Sequence, residues 1–102
     1  MILKLIPEKE ILELEKELGI ELVMNERNHR LGLKKFYVSF PRLESMEGSC
    51  LISYSGNGET MDEALKDYAE QLSCRRIVID AYKSERKEIE LPKIVHTRFI
   101  NQ

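Results

Sequence analysis

At 102 residues the chain is sized for one hydrophobic core, and its 42% hydrophobic and 33% charged side chains exclude a disordered or low-complexity segment. Sixteen basic and 18 acidic residues give a formal net charge of −2 and are mixed along the sequence, which argues against a polybasic binder of duplex nucleic acid or of an anionic membrane. Two cysteines, Cys50 and Cys74, are too few for a disulfide scaffold and lack metal-ligand spacing, so both are expected to be reduced, mostly buried, small apolar groups.

In chain order, Met1 to Ile6 is apolar but carries Lys4 and stops at Pro7. It is too short to span a membrane and has no small-residue cleavage site, so a cytoplasmic location is expected. From Pro7 to Leu18 the residues Ile11, Leu14 and Leu18 recur at helical spacing, Pro7 suits a first turn, and Gly19 stands where a helix-terminating glycine belongs. Ile20 to Met24 predicts a short strand, and Asn25 to Gly32 a polar connection. Lys35 to Phe40 alternates cleanly and is closed by Pro41, and Cys50 to Tyr54 predicts a further strand after a Glu47-Gly48-Ser49 turn.

Ser55 to Thr60 is a glycine-bearing connection. Thr60 with Glu63 forms a capping-box pattern, so a helix is expected to open there and to bury Met61, Ala64, Leu65, Tyr68 and Leu72. Arg75 to Tyr82 and Lys87 to Leu91 predict a hairpin across the turn at residues 83–86. Pro92 is expected to end the regular structure, leaving residues 94–102 as a tail that packs on a neighbouring subunit. The fold class is therefore α+β: an antiparallel or mixed sheet of about five strands with two helices, in the order α-β-β-β-α-β-β, all in one domain over 1–102.

Glycines before a helix can admit a phosphate, but Glu59, Asp62 and Glu63 crowd that end with negative charge and no Walker lysine is present. A plain strand-to-helix turn is the simpler account of residues 55–60. Arg75, Arg76 and Arg86 gather around the C-terminal hairpin, while Arg27, Arg30 and Arg42 flank the earlier strands. Rim guanidinium groups are most often solvated or paired, although as a set they supply the forks that phosphates require. Tyr37, Tyr54, Tyr68 and Tyr82 can stack on a purine or simply pack. His29 and His96 stand apart from each other and from the cysteines, and no acid–base pair or nucleophile motif is singled out. Neither an enzyme, a metal site nor a cofactor is expected.

Between Phe36 and Ile94, the stretches FYVSFPRL and GSCLISYSGNGETMDEALKDYAEQLSCRRIVIDAYKSERKEIELP resemble small proteins of tailed phages that infect Gram-positive bacteria. The shared pattern is a glycine-bearing turn, a T-x-x-EAL-x-DYA-x-x-L helix and a closing hairpin that ends in R-x-EI-x-x-P. Within that group the chain is most similar to the first-described anti-Thoeris family, non-enzymatic sponges that hold cyclic ADP-ribose signals, and in some cases cyclic oligonucleotides, in the infected cell. The resemblance implies a homodimer or higher oligomer whose pockets are lined by asparagine, arginine and aromatic side chains. It carries Asn57 over by motif position, Arg75 or Arg76 as the phosphate ligand and Arg86 in the closing hairpin. Tyr37 and Tyr54 are candidates on chemistry alone. FPRL followed by GETMDEALKDYAEQL also resembles the HicB-like antitoxin half-domain, which would instead occlude a small protein toxin. A structural phage protein and a small cyclic-nucleotide hydrolase rank third and fourth.

Overall fold

The computed structural model describes residues 8–29 and 31–97. Within these residues nine strands and two helices follow in the order β1 (Glu8–Glu10), α1 (Ile11–Leu18), β2 (Val23–Glu26), β3 (Phe36–Ser39), β4 (Leu43–Glu47), β5 (Cys50–Ile52), β6 (Gly56–Gly58), α2 (Met61–Leu72), β7 (Arg76–Ile79), β8 (Lys87–Glu90) and β9 (Lys93–Val95). The α+β class, the two helices and five expected strands are present, the first shifted from Ile20–Met24 to Val23–Glu26 by its register with β3, and four further short strands join them. Antiparallel β2-β3-β6 and β5-β4-β7-β8 form two sheets, and β1 pairs parallel with β9.

Helix α1 buries Ile11 and Leu14 and ends at Gly19, whose φ of 69° lets its N–H return to Glu15 O at 3.1 Å. Pro7, expected in its first turn, lies outside the described residues, and Glu8–Glu10 is a strand instead of the helix start. That change is set by a partner at the far end of the chain, since Glu8, Lys9 and Glu10 sit opposite Lys93, Ile94 and Val95. The same pairing corrects the expected tail: regular structure resumes after Pro92, and Ile94 is buried within this chain's own core. Residues 98–102 of that tail lie outside the described residues. Both cysteines, expected inside, are exposed free thiols, Cys50 opening β5 beside a tight turn and Cys74 in the left-handed residue between α2 and β7.

Helix α2 is the keystone of the core. Thr60 Oγ1 accepts the Glu63 N–H at 3.1 Å, while the Glu63 carboxylate accepts the N–H of Glu59 at 2.9 Å, one residue upstream of the usual reciprocal bond. Such a cap contributes about 1 kcal/mol. The stripe Ala64, Leu65, Tyr68, Ala69 and Leu72 is buried against Val38, Phe40, Ile77 and Ile94. Tyr68 reaches across to β3, its hydroxyl accepting the Phe40 N–H at 3.0 Å. Ser73 ties the end of the helix to β9 by accepting the Ile94 N–H at 2.8 Å.

The Gly-Asn-Gly segment is a strand, where the sequence suggested only a glycine-bearing turn. A Cβ on Gly56 would stand 2.3 Å from Ala64 O and one on Gly58 2.4 Å from Ala64 N, so α2 rests directly on the backbone of β6. With both glycines facing the helix, Asn57 between them faces the other side of the sheet.

Candidate functional site

The face of β2-β3-β6 turned away from α2 carries a short row of polar and aromatic side chains. In register, Asn25 of β2 lies opposite Tyr37 of β3, which lies opposite Asn57 of β6. Strand alternation brings all three to one face. Arg27, just beyond β2, completes the row: its guanidinium sits over the Tyr37 ring at 4.5 Å from the centroid. Its Nη2 donates to Asn57 Oδ1 at 2.8 Å and its Nη1 to Lys34 O at 2.7 Å.

From Asn57 the network continues along one side of α2. The Asn57 side-chain amide donates to Ser55 O at 3.1 Å and its backbone N–H to Asp67 Oδ2 at 2.9 Å. Gln71 Nε2 reaches the same two acceptors, at 2.9 Å each. Arg75 Nε then donates to Gln71 O at 2.5 Å, and its guanidinium lies over the Tyr54 ring, 5.0 Å from the centroid. Glu47 closes the strip, accepting from both the Tyr54 hydroxyl and Arg75. The Tyr54 hydroxyl and then Arg75 hold the Glu47 carboxyl below its ordinary range, and the Glu47 carboxylate raises the Tyr54 phenol in return.

Four of the six residues singled out in the sequence, Tyr37, Tyr54, Asn57 and Arg75, thus share one hydrogen-bonded strip that ends in an arginine–tyrosine stack on each side. Arg76 and Arg86 stand outside it. Arg76 pairs with Glu90 at 2.5 Å and Arg86 with Glu88 at 3.5 Å, both on the rim of β8. Arg27 was only one of several flanking arginines in the sequence, and Asn25 carried no signal at all, because their nearness to Asn57 arises from strand register. Arg30 lies outside the described residues. Tyr54 also walls a cleft of about 370 Å³ formed with Phe40, Arg42, Tyr82 and Lys83. Its floor holds two left-handed residues, Arg42 at φ 66° and Asp80 at φ 53°, clasped by bonds of 2.8 and 2.6 Å between guanidinium and carboxylate.

His96, isolated in sequence, lies buried between two carboxylates, its Nδ1 2.8 Å from Glu10 Oε1 and its Nε2 2.9 Å from Asp62 Oδ1. Thr97 adds its N–H and hydroxyl to Glu10 Oε2. Burial works to raise the Glu10 pKa, but the Thr97 and His96 bonds together outweigh it and hold the carboxyl below its ordinary value. This cluster clips β1 and β9 to the first turn of α2. Among the described residues no group of three potential ligands is arranged to hold a metal ion, and no helix is long and apolar enough to cross a membrane. No family model, curated protein or solved structure matches the chain.

Proposed function

We propose that this domain is a phage counter-defence protein that binds a cyclic nucleotide signal, a cyclic ADP-ribose isomer first of all, and sequesters it without cleaving it. The observation that carries this reading is the Asn25–Tyr37–Asn57 row with Arg27 stacked on its tyrosine. A tyrosine ring or an arginine plane offers a face for adenine, and an asparagine amide pairs a donor with an acceptor as the adenine edge does. Arg27 at one end of the strip and Arg75 at the other each supply a guanidinium fork of the kind that a phosphate of the ligand requires. The family resemblance of the Phe36–Ile94 region points to the same ligand class.

Sequestration asks for affinity and not for turnover. It works when the dissociation constant lies well below the signal concentration, and a nanomolar complex corresponds to about −12 kcal/mol. No general base or nucleophile has to be assigned in the strip. In this reading Arg76 and Arg86 rank below Arg75 and Arg27 as ligand contacts because they stand outside the strip, and Arg75 contributes by turning from Glu47 towards the ligand.

Titration calorimetry with a panel of cyclic ADP-ribose isomers, followed by heat release and chromatography, tests the proposal. Tight binding with recovery of the intact isomer is expected, and Asn57→Ala is expected to weaken it at least tenfold, about 1.4 kcal/mol. Linearised product would move the protein to the enzymes. No binding to any isomer or cyclic dinucleotide, or an Asn57→Ala variant of unchanged affinity, removes the assignment and favours a protein partner of the antitoxin type.

A further inference from the structure

We propose that the Asn57-Gly58 peptide is a deamidation site that the fold holds shut, so that Asn57 turns to aspartate or isoaspartate only through opening of β6. The inference goes beyond nucleotide binding and does not depend on it. Of the four asparagines, Asn25, Asn28, Asn57 and Asn101, Asn57 alone precedes a glycine. With no Cβ on the following residue, the backbone nitrogen of Gly58 can approach the Asn57 side chain without steric hindrance. In the reaction that nitrogen gives up its proton and attacks Asn57 Cγ. The bond from Cγ to Nδ2 breaks, and ammonia leaves with the proton. Water then opens the resulting succinimide ring at either carbonyl and leaves a carboxylate where an amide stood. Nothing is oxidised or reduced.

An Asn-Gly pair between apolar runs is the usual signature of a tight hairpin turn, but here it is a strand. The register decides what the Gly58 nitrogen can do. Arg27 N–H donates to Lys35 O at 2.8 Å, and a step of two along each strand makes Asn25 and Tyr37 a hydrogen-bonded pair as well. The N–H and C=O of Phe36 and Val38 therefore point to the other neighbour, where they meet Gly58 and Gly56. The Gly58 N–H is thus committed to Phe36 O. Asn57 N–H points away from β3, to Asp67 Oδ2 at 2.9 Å, as the alternation requires.

The side chain is held as firmly as the nucleophile. Arg27 Nη2 fixes Oδ1 at 2.8 Å, and Ser55 O fixes Nδ2 at 3.1 Å. Asn57 Cγ stands off the sheet face while the Gly58 N–H lies in the sheet plane. Seating of α2 on both glycines keeps the backbone from turning to bring the two atoms together. Deamidation therefore runs through a local opening, and its rate in the folded chain is the unfolded rate scaled by the open fraction. The product alters the strip. A carboxylate at position 57 still accepts from Arg27, but it sets an oxygen against Ser55 O in place of the Nδ2 donor. Isoaspartate also inserts an extra backbone carbon between the two glycines that carry α2.

Peptide mapping by mass spectrometry after incubation in mildly alkaline buffer tests the proposal. The chain unfolded in urea is the reference, and Asn25, Asn28 and Asn101 are internal comparators. In urea Asn57 is expected to deamidate ahead of the other three. In the folded wild type its rate is expected to fall at least tenfold, an opening that costs at least about 1.4 kcal/mol. Two variants keep the Asn57-Gly58 pair and loosen β6: Gly56→Ala forces α2 away, and Asp67→Ala removes the acceptor of Asn57 N–H. Each is expected to raise the folded-state rate about threefold or more. If Gly56→Ala loses the wild-type circular dichroism spectrum, Asp67→Ala alone decides. A folded wild type that deamidates at Asn57 as fast as the unfolded chain overturns the proposal. So do equal rates at Asn57 and the other asparagines in urea, and folded variants that deamidate no faster than the wild type.

Discussion

Adding one methyl group to β6 is expected to displace a helix. In Gly56→Ala the new Cβ would lie 2.3 Å from Ala64 O, 2.4 Å from Tyr68 Cβ and 2.5 Å from Tyr68 N. In Gly58→Ala it would lie 2.4 Å from Ala64 N and 2.5 Å from Glu63 Cβ. The shortest contact falls about 1 Å inside ordinary van der Waals approach, and most of the obstructing atoms are backbone or Cβ, so no rotamer change relieves it. Helix α2 must withdraw, loosening Leu65, Tyr68 and Leu72 together. Overpacking by a methylene usually costs about 1–3 kcal/mol, and an unyielding obstacle places these variants at or above about 3 kcal/mol each. In a domain of this size that lowers the melting temperature by at least about 12 °C. Gly48→Ala is the control: it has open space around it but a φ of +59°, so only the backbone conformation is penalised, by about 1 kcal/mol. Thermal melts followed by circular dichroism compare the three. Gly56→Ala and Gly58→Ala proteins that melt no lower than Gly48→Ala would refute direct seating of α2 on β6, and with it the account of how Asn57 is presented.

Two ionisable groups in and beside the core give the protein distinct acid and alkaline limits. Burial pushes the Tyr68 phenol up to about 12, against the opposing effect of its bond from Phe40 N–H. Its free value is about 10, so the associated stability is complete below about pH 10 and is lost as pH rises towards 12, up to about 2–3 kcal/mol. Urea unfolding from pH 9 to pH 11 is expected to show this loss in the wild type and not in Tyr68→Phe. That variant starts about 1–3 kcal/mol weaker because its Phe40 N–H is left without an acceptor. An equal alkaline loss in both would clear Tyr68. Glu10 has the opposite sign: its pKa is depressed in the folded chain, so its contribution is complete above the ordinary carboxylate range and is lost as pH falls through the depressed value. Glu10→Gln is expected to be less stable at pH 6 and flatter on acidification, as denaturant midpoints from pH 6 to pH 3 would report. Parallel midpoints for the two proteins would place the acid response on another carboxylate.

Local signals were legible where one segment decides its own conformation. Gly19 terminates α1, Thr60 and Glu63 cap α2, and the Phe36–Phe40 alternation forms β3, because capping and side-chain periodicity act within a few residues. Four of the five residues expected in helix α2's buried stripe, Ala64, Leu65, Tyr68 and Leu72, followed from helical spacing in the same way, while Met61 is only half-buried at the helix start and Ala69 joins the stripe. The two helices, five of the strands and the α+β class could therefore be read from the chain alone.

The remaining features depend on partners distant in sequence. Glu8–Glu10 is too polar and too short to announce a strand, and it becomes one through Lys93–Val95. Gly56–Gly58 has no side-chain pattern and becomes a strand because Tyr37 and α2 enclose it from two sides. The candidate site divides along the same line. Tyr37, Asn57, Tyr54 and Arg75 were visible as residue types that suit a nucleotide, whereas Arg27 and Asn25 joined them only once β2 was set in register with β3. Arg75 and Arg76 are adjacent and chemically identical. Tertiary structure sends one over Tyr54 towards the strip and the other to Glu90, because β7 begins at Arg76 while Arg75 still hangs from the last turn of α2.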